Sequence, residues 1–295
     1  MEFDVEETIK VVQNVTSDAD LEKLHLHLIG TYPNTYTLTK AMSEHLVAKY
    51  CRNIPTVILR PSIVGAAWKE PVPGWVDNVS AAGAIFLAAG FGILTILPGN
   101  PRSIADIVPV DIVSNAILVA AALKKPDGEV QVVHCGTSDP EENQLRWRVT
   151  ARVVEYWIKH PPRRGIFPPK FRMLRSHQNF QLQWFLRYTA PQSVYSTVAN
   201  ALDNKEQMKN AAKLRMVSWK AGTLAKMFQP FTENEWIFLS NRLRKHRAAL
   251  SDQDLITFDT RSSNVVWERY LDNFCYGLSK WVLHDGKTTT FQNKV

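Results

Sequence analysis

The chain has 295 residues, 45% of them hydrophobic and 21% charged, which is enough for one large domain or two smaller ones and excludes a disordered or fibrous architecture. Its net charge of +7 conceals a split: residues 1–150 carry 12 basic and 17 acidic side chains, a balance of −5, while residues 151–295 carry 23 and 11, a balance of +12. Three scattered cysteines, Cys51, Cys135 and Cys275, form no C-x-x-C pair, so a reducing compartment is expected and neither a disulfide framework nor a metal site is.

The start, Met1 to Glu7, is acidic and lacks the basic and apolar parts of a secretory signal. Residues 4–28 read as two short surface helices, the second opening at Ser17 or Asp18. Tyr36 to Arg52 reads as a helix with Tyr36, Leu38, Met42, Leu46, Val47 and Tyr50 broadly to one side, and Thr56–Leu59 as a strand of a buried parallel sheet. Ala81 to Leu97 is almost wholly apolar and close to the minimum length for a membrane span. Its glycines, its alanine content and Pro98 favour a buried helix, a turn and a short strand.

Downstream, Ile107–Val110 reads as a strand, Asp111 as an N-cap, Ile112–Lys124 as a helix and Val130–His134 as another strand. This alternation is the α/β signature. Beyond residue 150 the patterns at 147–160, 208–227 and 234–250 are helical, with few strand signals. The expected organisation is a partial Rossmann-like domain over 1–150 and a mostly helical domain over 151–295.

Tyr36 and Lys40 form a Y-x-x-x-K pair, whose spacing on a helix puts both side chains on one face about 6 Å apart along the axis. A neighbouring ammonium favours the phenolate, so Tyr36 can exchange a proton with a substrate oxygen during hydride transfer, while Lys40 can hydrogen-bond a cofactor ribose. The spacing alone is weak evidence. Tyr276 and Lys280 share it, with no strand and Arg-Pro turn after them, and are read as a coincidence.

Longer strings add specificity. Tyr32-Pro33-Asn34-Thr35-Tyr36-Thr37-Leu38-Thr39-Lys40-Ala41, the run from Leu59-Arg60-Pro61-Ser62-Ile63-Val64-Gly65 through Trp68-Lys69-Glu70-Pro71, Pro73-Gly74-Trp75, and Ala105-Asp106-Ile107-Val108-Pro109-Val110-Asp111 resemble the fatty acyl-CoA reductases. These are an alcohol-forming branch of the extended short-chain dehydrogenase/reductase superfamily. Phe258 to Leu283 resembles their C-terminal, sterile-type region more loosely.

The resemblance implies NADPH-dependent reduction of a long-chain fatty acyl-CoA to a fatty alcohol through an aldehyde, with Tyr36 as proton donor and Lys40 orienting the ribose. By the same similarity Pro61, Ser62, Ile63 and Val64 lie against the nicotinamide. It also implies an intracellular place at the cytosolic face of a peroxisomal or endoplasmic reticulum membrane. A homo-oligomer is compatible with it; nucleic-acid binding is not expected, because charge is the one feature pointing that way.

The departures concern the cofactor. None of the thirteen glycines forms the glycine-rich turn that holds a pyrophosphate, and no upstream catalytic Ser or Thr stands out, so against the family pattern the chain reads as N-terminally truncated, the second half of a Rossmann-like parallel-sheet domain with an unpaired apolar sheet edge. Two rivals follow: a catalytically incomplete remnant that binds a partner, and an extended reductase or epimerase of another carbonyl. Of the basic clusters, Arg163 to Arg175 is a candidate for CoA phosphates or an anionic leaflet, and Arg242 to Arg247 reads as a solvated helix face.

Overall fold

A short acidic segment nucleates the first helix: the Asp4 carboxylate accepts the N–H groups of Glu6 and Glu7 at 2.8 and 3.0 Å. The computed structural model describes residues 4–79, 81–203 and 205–285. In chain order it contains α1 (Val5–Asn14), α2 (Asp18–Ile29), α3 (Thr35–Tyr50), β1 (Thr56–Pro61), β2 (Ile63–Gly65), α4 (Ala81–Gly90), β3 (Ile96–Pro98) and β4 (Ile107–Pro109). There follow α5 (Val110–Ala122), β5 (Val130–Cys135), α6 (Thr150–Lys159), β6 (Arg172–Leu174), α7 (His177–Trp184), α8 (Ala190–Ala201), α9 (Lys205–Glu233), α10 (Asn241–Ala248), α11 (Asp252–Thr257) and α12 (Trp267–Gly277). The α/β architecture with a helical C-terminal part is the one expected, and the strands pair β1 with β5, β2 with β4 and β3 with β6. The last two pairs are parallel, in register Ile63↔Ile107 and Ile96↔Arg172.

Two compact units divide the chain. One runs to Arg60 and includes Val119–Val133; the other holds Pro61–Leu118 and continues from His134. In the first, α1 is tied to α3 by an ion pair of Glu6 with Lys49 at 2.8 Å, and β1 to α3 by Arg60, whose Nε donates to both Glu44 oxygens at 2.9 and 3.0 Å. In this unit Val5, Thr8 and Leu38 are buried, and β1 is half-buried at best along its length.

The second unit holds the large aromatic core. Trp147, Trp157, Tyr270, Phe86 and Phe274 are fully buried, each worth roughly 1.5–3 kcal/mol of hydrophobic stabilisation or more. The apolar 81–97 segment is part of this core: α4 is buried from Ala82 to Gly90 apart from Ala84, Gly90 abuts the Trp157 ring, and Phe86 meets Phe274 edge-on at 5.3 Å. Small residues let α6 and α12 approach α4 this closely, which is why its alanines and glycines are there. No helix among the described residues is long and apolar enough to cross a membrane.

Several expectations are corrected. Tyr36 and Tyr50 are 68% and 62% exposed while Leu38 is buried, so the side chains assigned to one face of α3 are divided between core and solvent. Asp111 lies inside α5 and caps nothing; its carboxylate serves a distant loop instead. The expected helix over 234–250 forms only at Asn241–Ala248, because Asp139 and Ser138 draw the preceding backbone toward them through the N–H groups of Ser240 and Phe238. The short strand Arg172–Leu174, beside β3, carries no alternating pattern long enough to read.

Candidate active site

Asn34 starts α3 with a reciprocal cap: its side chain accepts the Thr37 N–H at 2.9 Å, and the Thr37 hydroxyl accepts the Asn34 N–H at 3.4 Å. This fixes the first turn, on which Tyr36 stands facing solvent. One turn later Lys40 places its ammonium 5.6 Å from the centroid of the Tyr36 ring. The structure thus brings these two site residues together on an exposed helix face, as the spacing requires.

The second pair is a control supplied by the same molecule. Lys280 Nζ stands 5.5 Å from the Tyr276 ring and 4.8 Å from that of Trp281. Two pairs with nearly the same ring–ammonium distance show that the local geometry follows from helical spacing alone. What differs is context: Tyr36 is exposed at a capped N-terminus, whereas Tyr276 lies among the packed residues of α12.

Pro61–Val64 belong to the other unit. Ser62 donates its N–H to the Cys135 carbonyl at 3.0 Å, and Ile63 donates to the Asp106 carbonyl at 3.1 Å. The Ser62 hydroxyl is buried without a hydrogen-bond partner, as is Asp106 Oδ2, while Asp106 Oδ1 accepts the Thr137 N–H at 2.6 Å. A Cβ on Gly136 would come within 3.3 Å of Ser62 Oγ and 3.0 Å of both Asp106 oxygens, so the two unpartnered groups flank one glycine. Here the strand end carries polar atoms with hydrogen-bonding capacity to spare.

The loop that follows is held by residues the sequence reading missed. Asp111 accepts the N–H groups of Trp68, Lys69 and Glu70 at 2.9, 2.8 and 3.1 Å, and the buried Tyr270 hydroxyl donates to the Ala66 carbonyl at 3.0 Å. Gly74, at φ +81°, and Gly277 abut so closely that a Cβ on Gly277 would stand 1.8 Å from the Gly74 oxygen. Asp111 sits within a motif string and Tyr270 within the sterile-type region, but nothing local announces their partners 41 and 204 residues away.

The basic clusters diverge. Arg244 meets Asp139 at 2.5 Å and Glu141 at 3.2 Å, and Arg247 meets Glu142 at 3.1 Å, so the face expected to be solvated spends two of its cations on ion pairs inside the fold. Burial alone would raise the Asp139 carboxyl, yet hydrogen bonds from Ser240, Glu141 and Arg244 hold it below the usual carboxylate range. In the other cluster Arg163 lies 3.9 Å from Asp285, and Arg175 donates to Asn100 at 3.0 Å. Burial pushes the Cys135 thiol up to about 12, so it is not a nucleophile at neutral pH.

Residues 2–117 match an NAD-binding family model described as male sterility protein, and residues 187–285 match a second model with the same description. Fatty acyl-CoA reductase 1 of Gallus gallus is 33% identical over 264 residues, covering 88% of this chain and 49% of that protein. The human protein of that name is 31% identical over 264 residues, with the same coverages. Human fatty acyl-CoA reductase 2 is 30% identical over 276 residues, 91% of this chain and 51% of its own. The chain spans about half the length of the curated relatives it matches.

Proposed function

For a chain that belongs to the male sterility protein family, we propose that the activity is nicotinamide-dependent reduction of a long-chain fatty acyl-CoA to the alcohol, with Tyr36 as proton donor. The observation that supports it is the exposed Tyr36 side chain with the Lys40 ammonium 5.6 Å from its ring centroid, in the segment matched by the NAD-binding model.

The residues fit one end of the cofactor. Tyr36 and Lys40, both exposed, offer a hydroxyl and an ammonium for a nicotinamide ribose, and Pro61–Val64 are proposed to face the nicotinamide on family resemblance. None of the thirteen glycines forms a pyrophosphate-binding turn, so no residue is assigned there. NADPH is proposed over NADH on family resemblance. When bound, it would supply one hydride to the thioester carbonyl, after which the C–S bond breaks and CoA leaves as its thiol to give the aldehyde, and a second hydride to take the aldehyde to the alcohol.

At each stage Tyr36 Oη gives its proton to the carbonyl oxygen as negative charge develops there, and the Lys40 ammonium stabilises the phenolate left behind. A proton donor of this kind contributes about 10²–10⁴-fold. The proposed setting is the cytosolic face of a peroxisomal or endoplasmic reticulum membrane.

Incubating the chain with NADPH and palmitoyl-CoA and following hexadecanol by mass spectrometry tests this. Alcohol is expected from the wild type, with NADPH consumed two to one, and about 10²-fold less or lower still from Tyr36→Phe. Equal turnover by the variant refutes the assignment.

A further inference from the structure

The helices of residues 177–233 leave two outward faces uncovered. From His177 the chain is helical through α7, a π-helical turn at Phe185–Thr189 and α8, and it returns along α9. The two arms pack together: Ser218 Oγ donates to the Tyr188 carbonyl at 3.4 Å, and a Cβ on Gly222 would lie 3.5 Å from the Trp184 ring. On α9 the buried residues Ala211, Ala221, Ala225, Phe228 and Thr232 recur at helical spacing and mark its inner face.

The outer faces combine two chemistries. Leu182, Phe185, Leu186, Val194, Val198 and Leu202 are all about half exposed or more on the first arm, and Met216, Trp219 and Met227 on the second, with Trp219 at 68%. Among them α9 exposes Lys209, Lys213, Arg215, Lys220 and Lys226, with no acidic residue from Gln207 to Gln229. None of these five cations forms an ion pair among the described residues. From Tyr156 to Leu202 the chain holds seven basic residues and no acidic one.

We propose that the outer face of α9, on which Lys209, Lys213, Met216, Lys220 and Met227 recur at helical spacing with Trp219 beside them, is a docking surface for an anionic lipid bilayer, lying in the interface with Met216, Trp219 and Met227 at the headgroup–acyl boundary and the lysines at the headgroup phosphates. Tryptophan and aliphatic side chains exposed beside lysines are the pattern of helices that rest on a membrane without crossing it, and no described helix is long and apolar enough to cross one. A second copy docked through the same face would bring the α9 cations against one another, which disfavours self-association there. A polyanion such as nucleic acid satisfies the lysines and leaves Met216, Trp219 and Met227 exposed. The inference does not depend on the chemistry at Tyr36.

Flotation of the full chain with vesicles tests it. Vesicles of phosphatidylcholine with 30% phosphatidylserine should capture the protein at low salt, phosphatidylcholine alone far less, and 0.5 M salt should weaken capture. At about fivefold for each lysine near a charged surface, Lys213→Gln with Lys220→Gln should weaken binding by about 30-fold. Met216→Ser with Trp219→Ser, both at exposed positions of α9, should weaken it at least tenfold while circular dichroism stays that of the wild type. Capture indifferent to lipid charge and salt overturns the proposal, even if the variants misfold. So does a dimer that dissociates in the variants with no vesicle capture, or vesicle capture that folded forms of both variants retain.

Discussion

The helix that carries Tyr36 and Lys40 and the loop from Ala66 to Gly74 are built in opposite ways. The helix is held at its start by one cap, exposes both chemistry-bearing side chains and buries only Leu38. The loop receives three N–H bonds into one carboxylate, a tyrosine hydroxyl on its first carbonyl and a glycine–glycine contact from α12. Substitution on the helix should therefore change chemistry with little change in stability, and substitution around the loop should do the reverse.

The contrast is sharpest at Gly277. An alanine inside a helix ordinarily stabilises by up to about 1 kcal/mol relative to glycine, but here its Cβ would overlap the Gly74 oxygen. Gly277→Ala should lower unfolding free energy by more than about 4 kcal/mol in urea titrations, whereas Lys40→Ala should change it by less than about 0.5 kcal/mol. Equal effects would erase the distinction between the regions.

Asp139→Ala comes next. It leaves Arg244, largely shielded from solvent, without its buried carboxylate and frees the Ser240 N–H, at an expected cost of about 3 kcal/mol. Asp139→Asn should recover part of that loss. Tyr270→Phe removes one buried hydroxyl and leaves the Ala66 carbonyl unpaired, for about 1–2 kcal/mol.

The smallest effect is a pH dependence. Burial, with Arg242 adding to it, holds His246 below its ordinary value of 6.5. Below that value the unfolded chain binds a proton that the folded chain resists, so stability falls as pH drops from 6.5 toward the folded-state value. Thermal melts at pH 7.5 and 5.5 should show a smaller decline for His246→Gln than for the wild type.

Much of this organisation is legible in the sequence because it is local. The Tyr36–Lys40 face and the burial of the 81–97 segment follow from helical spacing and composition. The rest depends on distant partners: Arg244 belongs to Asp139, 105 residues away, and Arg172 to Ile96 across a three-residue strand pair. A lone basic cluster cannot reveal that two of its members are neutralised, nor an aspartate in the first turn of a helix that it will bind a loop 41–43 residues back. The orphaned Ser62 hydroxyl and Asp106 Oδ2 emerge only once strands bring 62, 106 and 136 together.

The central claim is that Tyr36 is the reductase proton donor and that Tyr276, with nearly the same lysine geometry, is not. The most direct measurement is fatty-alcohol formation from palmitoyl-CoA and NADPH by Tyr36→Phe and Tyr276→Phe in parallel. Turnover should fall by about 10²-fold or more in the first and stay within about twofold of wild type in a folded form of the second. Loss of turnover in Tyr276→Phe with retention in Tyr36→Phe would contradict the account.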